Sequence, residues 1–195
     1  MAITDNVRDG QTGLIARASA AVQGGATCIQ LRLKDVAARD LVGVARELVK
    51  SIAVPVIVND RADVAIAAGA AGVHLGADDI PVSAARAIAP KGFLIGASVG
   101  CDAEVPLSTG ADYVGVGPVF ATGSKNDAGD PIGLIEFARL SAATGLPTLG
   151  IGGITAANAR SVIDAGAAGI AVISSVFGAT DPLSAARELL SAIGR

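Results

Sequence analysis

The 195-residue sequence is poor in residue types that build several kinds of functional site. It has two cysteines, Cys28 and Cys101, and one histidine, His74. The cysteines form no CxxC pair, and a single imidazole excludes a metal site built from several histidines. The chain also starts without a basic stretch followed by an apolar segment. We therefore expect a cytoplasmic protein in which both thiols serve packing and His74 is a hydrogen-bonded, partly buried structural residue.

An excess of positive charge is also lacking. Lys and Arg number 15 against 18 Asp and Glu, so the formal net charge is -3 at pH 7. That balance disfavours nucleic acid and acidic membranes as partners. Aromatic residues make up 3% of the chain although hydrophobic residues make up 51%. The core must therefore consist of small Ala, Val, Ile and Leu side chains, which excludes a disordered chain, and no apolar run reaches the roughly 18 residues of a membrane span.

A short phrase recurs along the chain: Gly-Ala, a spacer, and an apolar run rich in Val and Ile. The phrase begins at Gly24, Gly69, Gly110 and Gly166. A glycine in the left-handed conformation ends a helix, and the run that follows has the length of a buried strand. Further strands are predicted at the opening Ala-Ile-Thr and from Val54, Gly92 and Leu146.

Alanine-rich segments with helical spacing separate these strands. They span residues 12–23, 37–51, 61–69, 81–89, 102–109, 132–144, 155–166 and 181–193. Thr155 and Asp181 are predicted N-caps, and Pro182 stands at a first helical position. About eight alternating units predict an α/β protein, a (β/α)₈ TIM barrel forming a single domain over residues 1–195. The alternative is an open doubly wound sheet, but no Gly-x-Gly-x-x-Gly follows the first strand.

Polar residues stand at the predicted carboxyl ends of the strands, where such barrels carry their active sites. Gln30, Arg32 and Lys34 alternate with Leu31 and Leu33, so the three polar side chains share one face of a strand. Unpaired cations inside a barrel cost several kcal/mol each. We expect an anionic ligand to offset that cost, the alternative being a solvated strand end.

Carboxylates follow the next two predicted strands. Asp60 comes directly after Asn59, and Asp79 lies in the loop that follows His74. Mg²⁺ typically binds one or two carboxylates together with phosphate oxygens, so the sequence predicts Mg²⁺ with a diphosphate. Each carboxylate has a structural alternative, which is to cap the helix that comes next.

The last three strand ends favour a phosphate. Thr122, Ser124 and Lys125 place two hydroxyls beside a cation. The seventh and eighth strands end near Gly153 and Ile173, where free backbone amides form an anion site. The alternative is that these glycines serve turn geometry alone. Two phosphate-binding regions on one face predict a diphosphate substrate and a monophosphate substrate.

Taken in chain order, these segments resemble the thiamine-phosphate synthase family. The matching segments are QLRLKD at Gln30, VNDRADVA at Val58, GVHLGADD at Gly72, GADYVGVGPVF at Gly110, GIGGIT at Gly150 and IAVISSVFGA at Ile170. The resemblance covers nearly the entire chain. It implies a (β/α)₈ barrel and a transferase of thiamine biosynthesis that joins hydroxymethylpyrimidine diphosphate to thiazole phosphate, releases pyrophosphate and uses Mg²⁺.

The resemblance also implies roles for particular residues. Asp60 and Asp79 would bind Mg²⁺, and the aminopyrimidine would contact Gln30 and Asn59. The diphosphate would be bound by Arg32, Lys34, Asn59 and Lys125. The thiazole phosphate would be bound by Thr122, Ser124, Gly153, Ile173 and Ser174. Ser98, which ends the fifth predicted strand, would lie near the forming bond. In this family the diphosphate leaves first and the thiazole nitrogen captures the pyrimidine cation. Catalysis by Arg32, Lys34, Ser98 and Lys125 would therefore be mainly electrostatic and positional.

Four positions depart from the family pattern. Relatives usually have Glu at Leu33, prolines at Ala121 and Gly123, and often His at Gly100, so we expect a looser loop after the sixth strand. A thiazole tautomerase of the same superfamily is expected to use that histidine, so its absence favours a synthase.

Other functions stay open at this point. They are a tautomerase-like paralogue, a non-catalytic barrel that binds thiamine precursors, and a Schiff-base aldolase that uses Lys34. The charged fraction of 17% leaves room for a homodimer.

Overall fold

The computed structural model describes residues 1–5, 9–123 and 129–194, and these residues form eight parallel strands in one sheet. The strands are β1 (Ala2–Ile3), β2 (Ile29–Leu31), β3 (Val56–Asn59), β4 (Gly72–Leu75), β5 (Leu94–Val99), β6 (Tyr113–Val116), β7 (Thr148–Ile151) and β8 (Gly169–Ala171). Each strand pairs with the next along the chain. A parallel bridge between Ala2 and Val172 joins the first strand to the end of the last. The predicted (β/α)₈ barrel is confirmed.

Helices cover the outside of the barrel. In the described residues they are α1 (Gly10–Gln23), α2 (Ala38–Ser51), α3 (Ala62–Ala68), α4 (Val82–Ile88), α5 (Gly133–Thr144), α6 (Ala159–Asp164), α7 (Ser174–Phe177) and α8 (Pro182–Ala192). Strand residues such as Leu31, Val73 and Ile95 pack with Leu48 and Phe137 of these helices in one apolar core. No helix in this part of the chain is long and apolar enough to cross a membrane.

The structure corrects two of the predicted helices. Residues 102–109 form two short 3₁₀ turns, Asp102–Glu104 and Pro106–Ser108, because Pro106 cannot donate the backbone hydrogen bond that a continuous helix needs. The helix predicted over 155–166 begins only at Ala159, so Thr155 is not its N-cap.

The prediction for the last long helix is confirmed. The Asp181 side chain accepts hydrogen bonds from the backbone N–H groups of Leu183 and Ser184. Pro182 is the first residue of α8, where its missing N–H has no helical partner to lose.

A hydrogen-bonded link at the amino-terminal end of the barrel, made by the 40% exposed side chain of Asp112, supports a stability prediction. Asp112 Oδ2 accepts hydrogen bonds from Ile95 N and from Arg86 Nη2, each 2.7 Å long. Asp112→Ala leaves the Ile95 amide without this acceptor, and we expect the free energy of unfolding to fall by about 1–3 kcal/mol. Urea unfolding measures the change. The value of kcat should stay constant, because the candidate site lies at the other end of the strands.

A matched control for this prediction is Asp164→Ala. It removes only an exposed pair on α6, in which Arg160 Nε lies 2.8 Å from Asp164 Oδ1. Exposed pairs of this kind contribute little, so the unfolding free energy should change by no more than about 0.5 kcal/mol. Equal losses of unfolding free energy in the two variants would show that the hydrogen bonds of Asp112 contribute no more than an exposed ion pair.

Candidate active site

A cavity of about 390 Å³ opens at the carboxyl-terminal ends of the strands. Ten residues predicted for the site line this cavity: Arg32, Lys34, Asn59, Asp60, Asp79, Ser98, Thr122, Gly153, Ile173 and Ser174. They come from strand ends that are far apart in the sequence, and the closed sheet brings them to one mouth. The site therefore has the location that the sequence predicts.

Three predicted residues are not among them. Gln30 is 2% exposed and lies two residues before Arg32, deeper on β2. Its side-chain Nε2 lies 3.7 Å from Met1 Sδ, which directs the amide to the barrel interior instead of the cavity. Ser124 and Lys125 fall outside the described residues.

The β2 side of the cavity carries positive charge. Arg32 is 9% exposed, and among the described residues its guanidinium has no ion pair. The backbone of Arg32 is fixed by the fully buried Thr4: Arg32 N donates to Thr4 Oγ1 at 2.9 Å, and Thr4 Oγ1 donates to Arg32 O at 3.1 Å. Lys34 lines the cavity two residues further on. The nearly buried guanidinium of Arg32, on a fixed backbone, and the ammonium of Lys34 make this wall suited to a highly charged anion.

Two carboxylates come from the adjacent strands β3 and β4. Asp60 has a φ of 64°, and its N–H donates to His74 O at 2.8 Å. A left-handed φ is uncommon outside glycine and is concentrated at functional sites. Asp79 Oδ2 accepts from Gly76 N at 2.7 Å. Neither carboxylate caps a helix, since Arg61 and Pro81 hold the N-cap positions of α3 and α4.

These carboxylates fit a magnesium ion that is shared with a substrate. Asn59 and His74 are register partners, so Asp60 and the loop with Asp79 start from neighbouring strand ends. In the described part of the chain, no group of three His, Cys, Asp or Glu side chains converges as a metal site. Two carboxylates are nevertheless the donor number that Mg²⁺ uses when phosphate oxygens complete its shell.

The opposite wall offers backbone amides and hydroxyls. Gly153 has a φ of 63°, and a Cβ atom there would lie 2.5 Å from Ala121 O, so the position requires glycine. A second, adjoining cavity is lined by Thr122, Gly153, Ile173 and Ser174 together with neighbouring residues. This wall can bind an anion without a full positive charge, which suits a monophosphate.

Sequence reasoning missed one acidic residue of the cavity. Glu104 lines the cavity, and its Oε2 accepts from Gly100 N at 2.6 Å. The sequence pattern predicts a helix over 102–109, where an acidic side chain is typical of a solvent-facing surface. No feature of the neighbouring sequence distinguishes Glu104 from an ordinary surface residue. Leu33 packs against the apolar core and is not among the residues that line the cavity.

His74 links the cavity to the barrel interior. It is 8% exposed and lines the cavity. Its Nδ1 lies 3.2 Å from Tyr113 Oη and its Nε2 lies 3.1 Å from Ser98 Oγ. The predicted buried and hydrogen-bonded state of this histidine is confirmed.

A closed parallel barrel with charged and polar strand ends around one mouth defines the class of (β/α)₈-barrel enzymes. Within that class, the profile of the family described as thiamine monophosphate synthase matches residues 1–176. The chain belongs to this family and is a transferase of thiamine biosynthesis.

Similar proteins cover almost the same length. A thiamine-phosphate synthase of Methanoculleus marisnigri is 56% identical over 180 residues, which are 90% of this chain and 84% of that protein. One of Roseiflexus sp. is 50% identical over 196 residues, covering 98% and 83%. The solved thiamine phosphate pyrophosphorylase of Pyrococcus furiosus superposes with a TM-score of 0.85 at 38% identity and covers 98% of this chain and 93% of that one.

Proposed function

We propose that the cavity joins hydroxymethylpyrimidine diphosphate to thiazole phosphate and releases pyrophosphate. The observation that carries this proposal is the division of one cavity into two walls. Arg32, Lys34, Asp60 and Asp79 form the charged wall, and the amides around Gly153 form the neutral one. A diphosphate with its metal ion and a monophosphate differ in charge in the same way.

The charged wall binds the leaving group. Arg32 and Lys34 neutralise the negative charge that grows on the diphosphate as its bond to the pyrimidine methylene breaks. Asp60 and Asp79 would hold Mg²⁺, which would supply further positive charge to the diphosphate. The family resemblance adds Lys125 to this set. Bond breaking ahead of bond formation fits a site whose charges stabilise a departing anion.

The neutral wall positions the acceptor. Thr122 and the amides of Gly153, Ile173 and Ser174 hold the phosphate of the thiazole, and the resemblance adds Ser124. Anchoring the phosphate aims the thiazole nitrogen at the pyrimidine methylene, and positioning of this kind contributes several kcal/mol to a two-substrate reaction.

The pyrimidine ring lies between the walls in this proposal. Asn59 and Ser98 line the cavity there and supply an amide and a hydroxyl for its polar atoms. Gln30 is left out of the set because its amide is buried beside Met1. We also propose a cytoplasmic location, which is supported by two free cysteines in the described residues.

The direct test is product formation. The purified protein, both phosphorylated substrates and Mg²⁺ should yield thiamine phosphate and pyrophosphate in equal amounts, and chelation followed by added Mg²⁺ should stop and restore the reaction. Omission of either substrate is the control. Binding of both substrates without turnover would overturn the proposal in favour of a non-catalytic barrel. Isomerisation of a thiazole in the absence of the pyrimidine substrate would favour a tautomerase. Covalent trapping of a carbonyl substrate on the protein by borohydride would favour an aldolase.

A further inference from the structure

A line of three polar side chains runs from the barrel interior to the cavity. Only the last of them, Ser98, has a role in the proposed function. Tyr113 at the start of β6 contacts His74 on β4, and His74 contacts Ser98 on β5, at the two distances given above. The rings of His74 and Tyr113 have centroids 5.5 Å apart. Only Ser98 and His74 reach the cavity wall.

Two strand glycines make room for this line. A Cβ atom at Gly96 would lie 2.2 Å from Tyr113 Cζ and 2.5 Å from His74 Nδ1. A Cβ atom at Gly115 would lie 3.2 Å from His74 Cε1. Glycine inside a strand weakens it, so two such positions around one ring indicate that the placement of the ring is itself required.

The hydroxyl of Tyr113 fixes which nitrogen of His74 carries the proton. Burial, and to a smaller extent the charges of Cys28 and Asp112, raises the pKa of Tyr113 well above its ordinary value, so the phenol keeps its proton. Among the described residues, His74 Nδ1 is the acceptor within hydrogen-bond distance of Tyr113 Oη. Tyr113 therefore donates to Nδ1, and a neutral His74 carries its proton on Nε2.

This arrangement sets the direction of the hydrogen bond at Ser98. Nε2–H of His74 donates to Ser98 Oγ, so the serine oxygen acts as acceptor towards the barrel interior. The proton of the Ser98 hydroxyl is then left to donate into the cavity.

We propose that His74 is a positioning residue that, held by Tyr113, keeps Ser98 as a hydrogen-bond donor to the diphosphate-bearing substrate. The inference rests on the proposed function for its kinetic part. The opposite tautomer would turn the Ser98 proton towards His74 and present only lone pairs to the substrate. Acceptor atoms on a diphosphate or a pyrimidine ring would then meet another acceptor, which costs affinity in the transition state.

The state of the imidazole can be measured without any substrate. The chain contains one histidine, so untagged protein labelled with ¹⁵N-histidine gives a single imidazole in an NMR spectrum. We expect the tautomer with the proton on Nε2, and a mixture with the other tautomer in Tyr113→Phe. A wild-type protein with the proton on Nδ1, or no change on Tyr113→Phe, overturns the inference even if the synthase activity is absent.

The kinetic test is a double-mutant cycle. Tyr113→Phe should lower kcat about 2- to 10-fold, consistent with one misdirected hydrogen bond, and Ser98→Ala should lower it at least as much. In the Ser98→Ala background, Tyr113→Phe should have no further effect on kcat, because its action passes through that hydroxyl. The KM for thiazole phosphate should stay constant throughout. Independent, multiplying losses would contradict the inference.

Two further variants separate positioning from folding. His74→Gln keeps an amide N–H that can donate to Ser98 and should retain more activity than His74→Leu. Thr148→Val removes a buried hydroxyl at the barrel foot, where Thr148 Oγ1 donates to Leu146 O at 3.1 Å. It should alter stability and leave kcat unchanged. Equal kcat values for the Gln and Leu variants would assign His74 a purely structural role.

Discussion

Asp60→Asn is expected to lower kcat about 100-fold and to raise the Mg²⁺ concentration needed for half-maximal rate. The substitution removes one of the two carboxylates proposed to hold Mg²⁺ and keeps the size of the side chain. Asn also tolerates the left-handed conformation that residue 60 adopts at a φ of 64°, so the backbone of the loop should stay in place. Steady-state kinetics at varied Mg²⁺ measure both effects, and Mn²⁺ binding in the presence of pyrophosphate measures the metal site without turnover.

The matched control is Asp63→Asn on α3. Asp63 lies three residues away, outside the cavity, and pairs with Arg61 at the surface, where Arg61 Nη2 is 2.6 Å from Asp63 Oδ2. We expect kcat and the Mg²⁺ requirement of this variant to match the wild type. Wild-type kinetics in Asp60→Asn would refute the assignment of Asp60 to the metal.

Arg32→Met is expected to lower kcat/KM for the pyrimidine substrate by about 10²- to 10³-fold, since it removes the proposed charge partner of the departing diphosphate. Methionine keeps much of the apolar length of the side chain. The free energy of unfolding should stay the same or rise, because a nearly buried cation disappears. Pyrophosphate should raise the Tm of the wild type and not that of the variant.

Arg46→Met is the matched control, for which we expect a change in stability and no change in activity. Arg46 is exposed on α2, and its Nη2 donates to Ala67 O at 2.9 Å near the end of α3. This variant should lose some stability and keep its kcat/KM. If both arginine variants lost stability and neither lost activity, Arg32 would be a structural residue and the charged wall would need another explanation.

The barrel could be predicted from the sequence because each unit carries its own signals. A glycine after a helical segment and a short apolar run mark the change from helix to strand at Gly69 and Gly166, and both runs are strands in the structure. Short-range patterns fail where tertiary packing decides. The run from Ile170 to Phe177 looks continuous in sequence, yet β8 stops at Ala171 and α7 begins at Ser174.

The location of the site was also predictable, because parallel strands bring their carboxyl ends to one edge. Period two groups Gln30 with Arg32 and Lys34, and the last two line the cavity just after β2, but periodicity carries no information about depth. Gln30 therefore turned out to lie below the cavity. Glu104 could not be predicted, since its place depends on how residues 102–109 fold, and that stretch has helical spacing until Pro106 is reached.

The two 3₁₀ turns between β5 and β6 give the barrel one thin side. They replace the full α-helix that covers most other strand pairs, and Leu107 of the second turn and Leu94 of β5 are exposed. Short 3₁₀ turns have weaker hydrogen bonds than α-helices, so we expect transient local opening to cost less here than behind a full α-helix. Glu104 belongs to the first turn, so local opening of this turn would widen the cavity entrance beside Gly100 while the remaining strands stay paired. Ligand exchange on that flank would then not require the barrel to unfold.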